Sequence, residues 1–390
     1  MRIFLSIPFS GTSFNVGSMT WYHNFYESLT ALGHDVYLFS VNLDKHFLHA
    51  SIPQWLKQHR EKLTDQMWLE FSEQQKRNRF DLFFGYLCNG FIEYSLLEDI
   101  GNLGVPTLNF SCNNIHQFYL VDEISKHVDI AVYSEKTAKQ KFDSVGANGV
   151  HMQMAANPDI YHPYSIPKEY EVTFAGQRYA NRAEYIVDLI SNGVDVRAWG
   201  PKWTGAGNFN DRRDLAHKLL RLRSIFQVHG VRKGVRYISG YARERVTEAR
   251  IDRMLAGHVG MGLDDEALVK LYSQSKISLG FSTVYEGGLP GGAVSSHVRL
   301  RDFEAPMSGA FYLVEHTPEI EEYYEVGKEI ECYRSKDELL DKTKYYLRAD
   351  KAREKIRLAG HRRALRDHTW KIRFSDLFAQ LSSGIHHNPL

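Results

Sequence analysis

Cysteine is the scarcest informative residue in this chain of 390. Cys88, Cys112 and Cys332 are its three thiols, too few and too scattered for a disulfide framework or a zinc cluster. A reduced, cytoplasmic setting is therefore expected. No apolar run approaches the roughly 18 residues that a membrane span requires, so no transmembrane segment is expected. The opening MRIFLSIPF has no long apolar core of the signal-peptide kind and passes directly into strand-like sequence. A net charge of +1 leaves no global attraction to nucleic acid or membrane. Two motifs are also missing. There is no G-x-G-x-x-G dinucleotide fingerprint, and no D-x-D pair to grip a divalent ion. The adjacent Asp264 and Asp265 read instead as a helix cap and a first-turn acid.

What is present is a large soluble protein with 43% hydrophobic residues, enough for two or three separately cored domains. The first half alternates strand and helix. RIFLSIPF (2–9) reads as an opening strand, followed by a loop with Gly11 and Gly17. A helix with Trp21, Phe25, Leu29 and Leu32 at helical spacing comes next, then DVYLFSV (35–41) as a second strand. Residues 42–80 read as helical and polar. FDLFFGYL (80–87), VPTLNFS (105–111) and HVDIAVYS (127–134) read as further strands. Such alternation predicts a doubly wound parallel sheet with ligands at the strands' C-terminal ends. That places Gly11, and Asn113, Asn114 and His116 after the 105–111 strand, on a cleft. A lone histidine is more often structural, so His116 carries both readings.

A Pro-containing linker at 163–167 separates a first domain (1–165) from a second (166–368). Within the second, residues 205–257 carry twelve Lys/Arg against five Asp/Glu. This local basic excess is either a surface for an anionic acceptor, partner or membrane headgroup, or a solvated helical pair balanced elsewhere in the fold. LAHKLLRLRSIF (215–226) has apolar residues at helical spacing. Near the chain's end, Thr317-Pro318 opens a helix, IECY is a short strand, and Ser335 with Glu338 forms a capping box. AFYLV (310–314) reads as a buried strand, after a short helix in which Pro306 suits the first turn and Gly309 the stop.

Several spaced motifs resemble the CgeB-like (spore-maturation) glycosyltransferase family. They are R-x-F-E-A-x-x-x-G-A at 301–310, T-P-E-I-E at 317–321 and G-K-E-I at 327–330. VTFAGQRYANRAEYIVDLISNGVDVRAWGPKW (172–203), LVKLYSQSKISLGFS (268–282) and GHRRALRDHTW (360–370) are similar to the same family. The resemblance is good from about 170 to 375, apart from the basic insert, and in register but weaker before 165. It implies the GT-B fold: α/β, two Rossmann-like domains with parallel sheets facing a central cleft. It also implies a final helix (369–390) returning to the first domain, and transfer of a sugar from a nucleotide-diphosphate sugar, hexosyltransferase-like, to an acceptor the motifs do not name.

The resemblance implies roles for particular residues. Arg178 and Arg182 fall where related enzymes hold the donor diphosphate, a task suited to the forked guanidinium; otherwise they are helix-start arginines that the helix dipole disfavours. Glu304 resembles the second Glu of the E-x7-E pattern, which accepts from ribose hydroxyls; otherwise it is a first-turn helix acid. The position of the first Glu is Ser296, so the pattern is broken. Either Glu286, in the glycine-rich YEGGLPGGA, approaches the donor sugar from a longer loop, or the family manages without that residue. His297, Arg301 and Gly176 are further cleft candidates, and Gly260-Met261-Gly262-Leu263 the expected seat of the base. His116 resembles a histidine that touches a donor-sugar hydroxyl.

Developing charge on the leaving diphosphate would be met by cations and backbone N–H groups, with no metal and no cofactor beyond the donor. No general base stands out, so retention of configuration rests on the resemblance alone. Other classes sharing these motifs are a sugar-nucleotide epimerase, a non-catalytic binding protein of the same fold, and a transferase acting on nucleic acid or another anionic acceptor.

Overall fold

The computed structural model describes residues 1–9, 19–204, 249–285 and 293–384, with isolated positions between 223 and 235. It contains two six-stranded sheets, each parallel throughout. In the first, β1 (Arg2–Ser6), β2 (Asp35–Leu38), β3 (Leu82–Gly85), β4 (Thr107–Ser111), β5 (Ile130–Tyr133) and β6 (Gly149–His151) lie in the order β2-β1-β3-β4-β5-β6. The second holds β7 (Tyr170–Ala175), β8 (Val196–Trp199), β9 (Val259–Gly260), β10 (Ser275–Gly280), β13 (Tyr312–Glu315) and β14 (Glu331–Tyr333). Its order is β14-β13-β10-β7-β8-β9. A two-stranded antiparallel hairpin, β11 (Thr283–Tyr285) and β12 (Val294–Ser296), stands apart.

Both orders reverse direction once, between β1 and β3 and between β7 and β10. These are the topological switch points, where loops diverge at the strands' C-terminal ends and leave a crevice. The strands are apolar on both faces because helices cover both; β3, LFFG, is buried at all four positions. Two Rossmann-like sheets arranged so constitute the GT-B architecture.

Local chemistry explains the boundaries. Asp264 Oδ1 accepts from Ala267 N at 2.8 Å and starts helix Asp265–Gln274. Ser335 accepts from Glu338 N and starts helix Lys336–Arg348; the Glu338 carboxylate returns to Arg334 N at 2.7 Å, one residue before the expected box partner. Helix Arg301–Met307 starts earlier than the first-turn reading of Pro306 implies, so the proline sits near its end, just before Gly309 (φ 72°) stops it. Thr317-Pro318 leads into a 3-10 turn, Pro318–Glu322, rather than an α-helix.

The two sheets are bound together firmly. One hydrophobic cluster runs from Leu5, Phe84 and Phe110 of the first half to Tyr272, Phe303 and Tyr312 of the second. Helix Trp370–Gly384 packs against helix Glu27–Ala31 of the first half. There Trp370, fully buried, meets Phe25 at 4.8 Å between ring centroids and Phe374 at 5.6 Å. Just before it, His368 Nε2 donates to the Tyr323 carbonyl at 2.8 Å and Thr369 bridges to Ala156. GHRRALRDHTW is thus the crossing between the halves.

Most of the basic insert, with the expected helix at 215–226, lies outside the described residues. Its exit, 249–255, is helical, and Leu255 is buried against the second sheet. No helix among the described residues is long and apolar enough to cross a membrane.

Candidate functional site

The switch point of the second sheet is welded by one carboxylate. Glu315, at the end of β13, accepts from the backbone N–H groups of Ser282 (2.9 Å) and Thr283 (2.8 Å), the Thr283 hydroxyl (2.7 Å) and the Asn181 side chain (3.0 Å). Three strand ends and the loop after β7 are thereby held in one place. That loop packs closely on its neighbour: a Cβ at Gly200 (φ 143°) would stand 2.2 Å from the Gly176 carbonyl oxygen, so only glycine fits there. Trp203 Nε1 donates to the same carbonyl at 2.6 Å.

Two guanidinium groups converge on this loop. Arg182, the first residue of helix Arg182–Ser191, is 5% exposed, donates to the Gln177 carbonyl at 2.7 Å and lies 4.2 Å from the centre of the Tyr179 ring. Arg299 donates to the Tyr179 hydroxyl at 2.6 Å and to the Thr283 carbonyl at 3.2 Å. Neither forms an ion pair with a carboxylate among the described residues, and Nε of each is buried with no partner. Burial, and then the neighbouring Arg299, bring the Arg182 guanidinium down to about 10. Asp302 fixes Arg299 from behind: its carboxylate accepts from Arg299 N at 2.8 Å and from the Tyr312 hydroxyl at 3.0 Å. Two unneutralised cations beside a helix N-terminus form a place for an anion with two charged centres.

Arg178 differs. It is bound to Asp252 at the exit of the insert, 2.5 Å away. Glu304 is fully buried and paired with Arg301 one turn before it, with the Tyr161 hydroxyl beside its carboxylate. Burial raises its carboxyl above the ordinary range, and Arg301 offsets part of this. Tyr161 and Asp265 lie near it, and Asp265 accepts from Met19 N at 2.7 Å. The exit of the Gly11 loop is thus tied to the second half, while Gly11 itself and Glu286 lie outside the described residues. Gly260 ends β9 beside Trp199; Met261 is exposed and Leu263 packs on the shared core. Gly260 to Leu263 therefore lie at the sheet's edge strand, leading into helix Asp265–Gln274. Ser296 lines a pocket with Thr283, Glu315, His316 and Arg334.

The third cluster joins the two halves. His116 follows β4, Glu135 follows β5, and His297 follows β12. The rings of His116 and His297 are 5.4 Å apart at 24°, and His297 Nε2 stands 3.3 Å from Glu135 Oε1. Glu135 and His297 are 1% and 2% exposed. Burial first, then Arg299, lower both imidazoles, His116 to about 4, while burial raises the Glu135 carboxyl to about 7. Asn114 is structural: it accepts from Ser134 N and donates to the Ser111 hydroxyl.

The structure thus brings Arg182, His116 and His297 to one junction and gives Arg178 a partner in the insert. Sequence reasoning passed over Tyr179, Glu135 and Glu315, and Glu135 carries no local signal. Arg299, with Arg301 and Glu304, is legible in the sequence as a charged cluster at a loop-to-helix junction suited to a phosphorylated ligand.

Comparison with solved structures places the fold among glycosyltransferases. Sucrose-phosphate synthase from Thermosynechococcus elongatus matches with a TM-score of 0.57 at 12% identity, over 98% of this chain and 100% of that one. HepE from Anabaena, crystallised with UDP and glucose, matches with a TM-score of 0.56 at 12% identity and the same coverage. A glycosyltransferase from Rickettsia africae matches with a TM-score of 0.57 at 12% identity, over 100% of this chain and 99% of its own. No curated protein sequence matches significantly. The sequence pattern of the glycosyl transferase-like family matches residues 182–379, half of the chain, from Arg182 through Glu304 to the crossing helix. The chain belongs to the glycosyl transferase-like family.

Proposed function

We propose that this protein transfers a sugar from a nucleotide-diphosphate sugar to an acceptor hydroxyl, as a CgeB-like, hexosyltransferase-like member of its family. The observation that carries the reading is the pair Arg182 and Arg299: two cations without carboxylate partners, at a switch point, beside a helix N-terminus. A diphosphate supplies the missing charge. HepE, of the same fold, was crystallised with UDP-glucose, which supports a uridine donor as the first to try.

In this reading Arg182 and Arg299 hold the diphosphate and stabilise the charge that grows as the C1–O bond breaks. With that charge met by fixed guanidinium groups, no metal is required on the diphosphate. Glu304 accepts from the ribose hydroxyls. In the retaining course the acceptor oxygen bonds to C1 on the face the phosphate leaves. The bonding pair goes to the phosphate oxygen, which takes the acceptor's proton. His116 lies on the first-domain side to contact the donor sugar. The basic excess of 205–257, which includes Arg178's partner Asp252, supports an anionic acceptor or partner.

The test is to incubate purified protein with UDP- and GDP-sugars and follow release of the nucleoside diphosphate. A thermal shift with UDP or GDP should accompany it, since a ligand specific to the folded state raises stability by mass action. Absence of both, for every donor tried, would contradict the reading. Turnover should survive EDTA, and the anomeric signal of the product decides retention.

A further inference from the structure

The geometry points to a transition-metal site formed by His116, Glu135 and His297, one that joins the two halves of the molecule. Each residue offers a ligand atom, and these atoms all lie within 4.8 Å of one another. All three side chains are at least nine-tenths buried. His116 Nδ1, His297 Nδ1 and Glu135 Oε1 have no hydrogen-bond partner, a costly condition for three polar groups together. The other carboxylate oxygen, Oε2, accepts from Ile115 N at 2.6 Å, which orients Oε1 toward the histidines as outer partners orient a metal ligand.

Two neutral imidazoles and one carboxylate are the donor set of a borderline first-row ion such as Zn²⁺ or Co²⁺, and they leave a coordination position open. The cationic Arg299 acts on both imidazoles, with Lys141 beside His116 and Arg182 beside His297, so the open position would be filled by an anionic oxygen, hydroxide in the free protein. His116 and Glu135 come from the first half and His297 from the second. A bound ion would therefore hold the halves together at the cleft, restraining any opening that admits donor or releases product. Its expected effect on turnover is inhibition, which separates it from an ion acting on a diphosphate.

The test uses the full chain, freed of metal, and Co²⁺ alone. One Co²⁺ per chain should bind and develop the visible bands of a four- or five-coordinate site, and Zn²⁺ should displace it. His297→Ala and Glu135→Gln, each checked for an unchanged circular dichroism spectrum, should each weaken Co²⁺ binding about tenfold or more. Arg182→Met, which removes a cation but no ligand, should still bind one Co²⁺. Absence of stoichiometric binding, or binding unaffected by both ligand substitutions, would overturn the proposal. None of these readouts needs a nucleotide, so the donor reading stands or falls separately.

Discussion

Arg182 lies over the Tyr179 ring, 4.2 Å from its centre, while the hydroxyl of the same tyrosine accepts from Arg299. One side chain thus spaces two cations whose natural partner is an anion. Holding them in place without a carboxylate costs folding free energy. Replacing a buried charge with an apolar group of similar length removes that cost. Arg182→Met should therefore stabilise the ligand-free protein by about 1–3 kcal/mol while weakening nucleotide binding. Thermal unfolding with and without UDP measures both; a lower melting temperature without ligand would show that Arg182 is already satisfied.

The crossing helix should hold the assembly together. Trp370 fills the space between Trp21, Phe25, Phe110 and Phe374. Trp370→Ala should cost about 3–5 kcal/mol, as large-to-small core changes do. A denaturant midpoint equal to that of the parent would mean that the helix is dispensable.

His368 makes the same region acid-sensitive. Arg373 donates to its Nδ1 at 3.1 Å and its Nε2 donates to the Tyr323 carbonyl, so the folded state needs the neutral ring. Burial lowers its pKa from 6.5 to about 4. The unfolded chain binds the proton more readily between these values, so stability from this group is full above pH 6.5 and falls as pH drops toward 4. The slope is up to about 1.4 kcal/mol per pH unit. His368→Gln should be less sensitive than the parent across that window. Identical pH profiles of unfolding free energy would count against it.

Glu304 should matter to the nucleoside more than to the phosphates. Glu304→Ala should weaken UDP binding by about 1–3 kcal/mol, the scale of hydrogen bonds to a charged group. Calorimetry giving equal affinities would remove Glu304 from the ribose site.

Much of this was readable from residue order. The apolar runs of β3 and β4 and the Asp264 and Ser335 caps follow from local chemistry, which a sequence displays. Relationships across the fold do not. Arg178 and Arg182 are four residues apart and look equivalent, yet Asp252, more than seventy positions on, pairs with the first and leaves the second unpaired. Glu135 and His297 are separated by most of two domains, and nothing in the local sequence of either marks a partner. Pro306 suited a first turn by its chemistry. It lies later because Arg299 and Asp302 set the start of the helix.

The most direct measurement is calorimetric titration of UDP into the parent, Arg182→Met and Arg299→Met proteins, in a buffer containing EDTA. The parent should bind one UDP per chain. Each substitution should weaken that binding by about 10- to 100-fold, or about 1.4–2.7 kcal/mol, the loss of a charge-assisted contact to phosphate. Equal affinity in all three proteins would contradict the assignment of these arginines to the diphosphate.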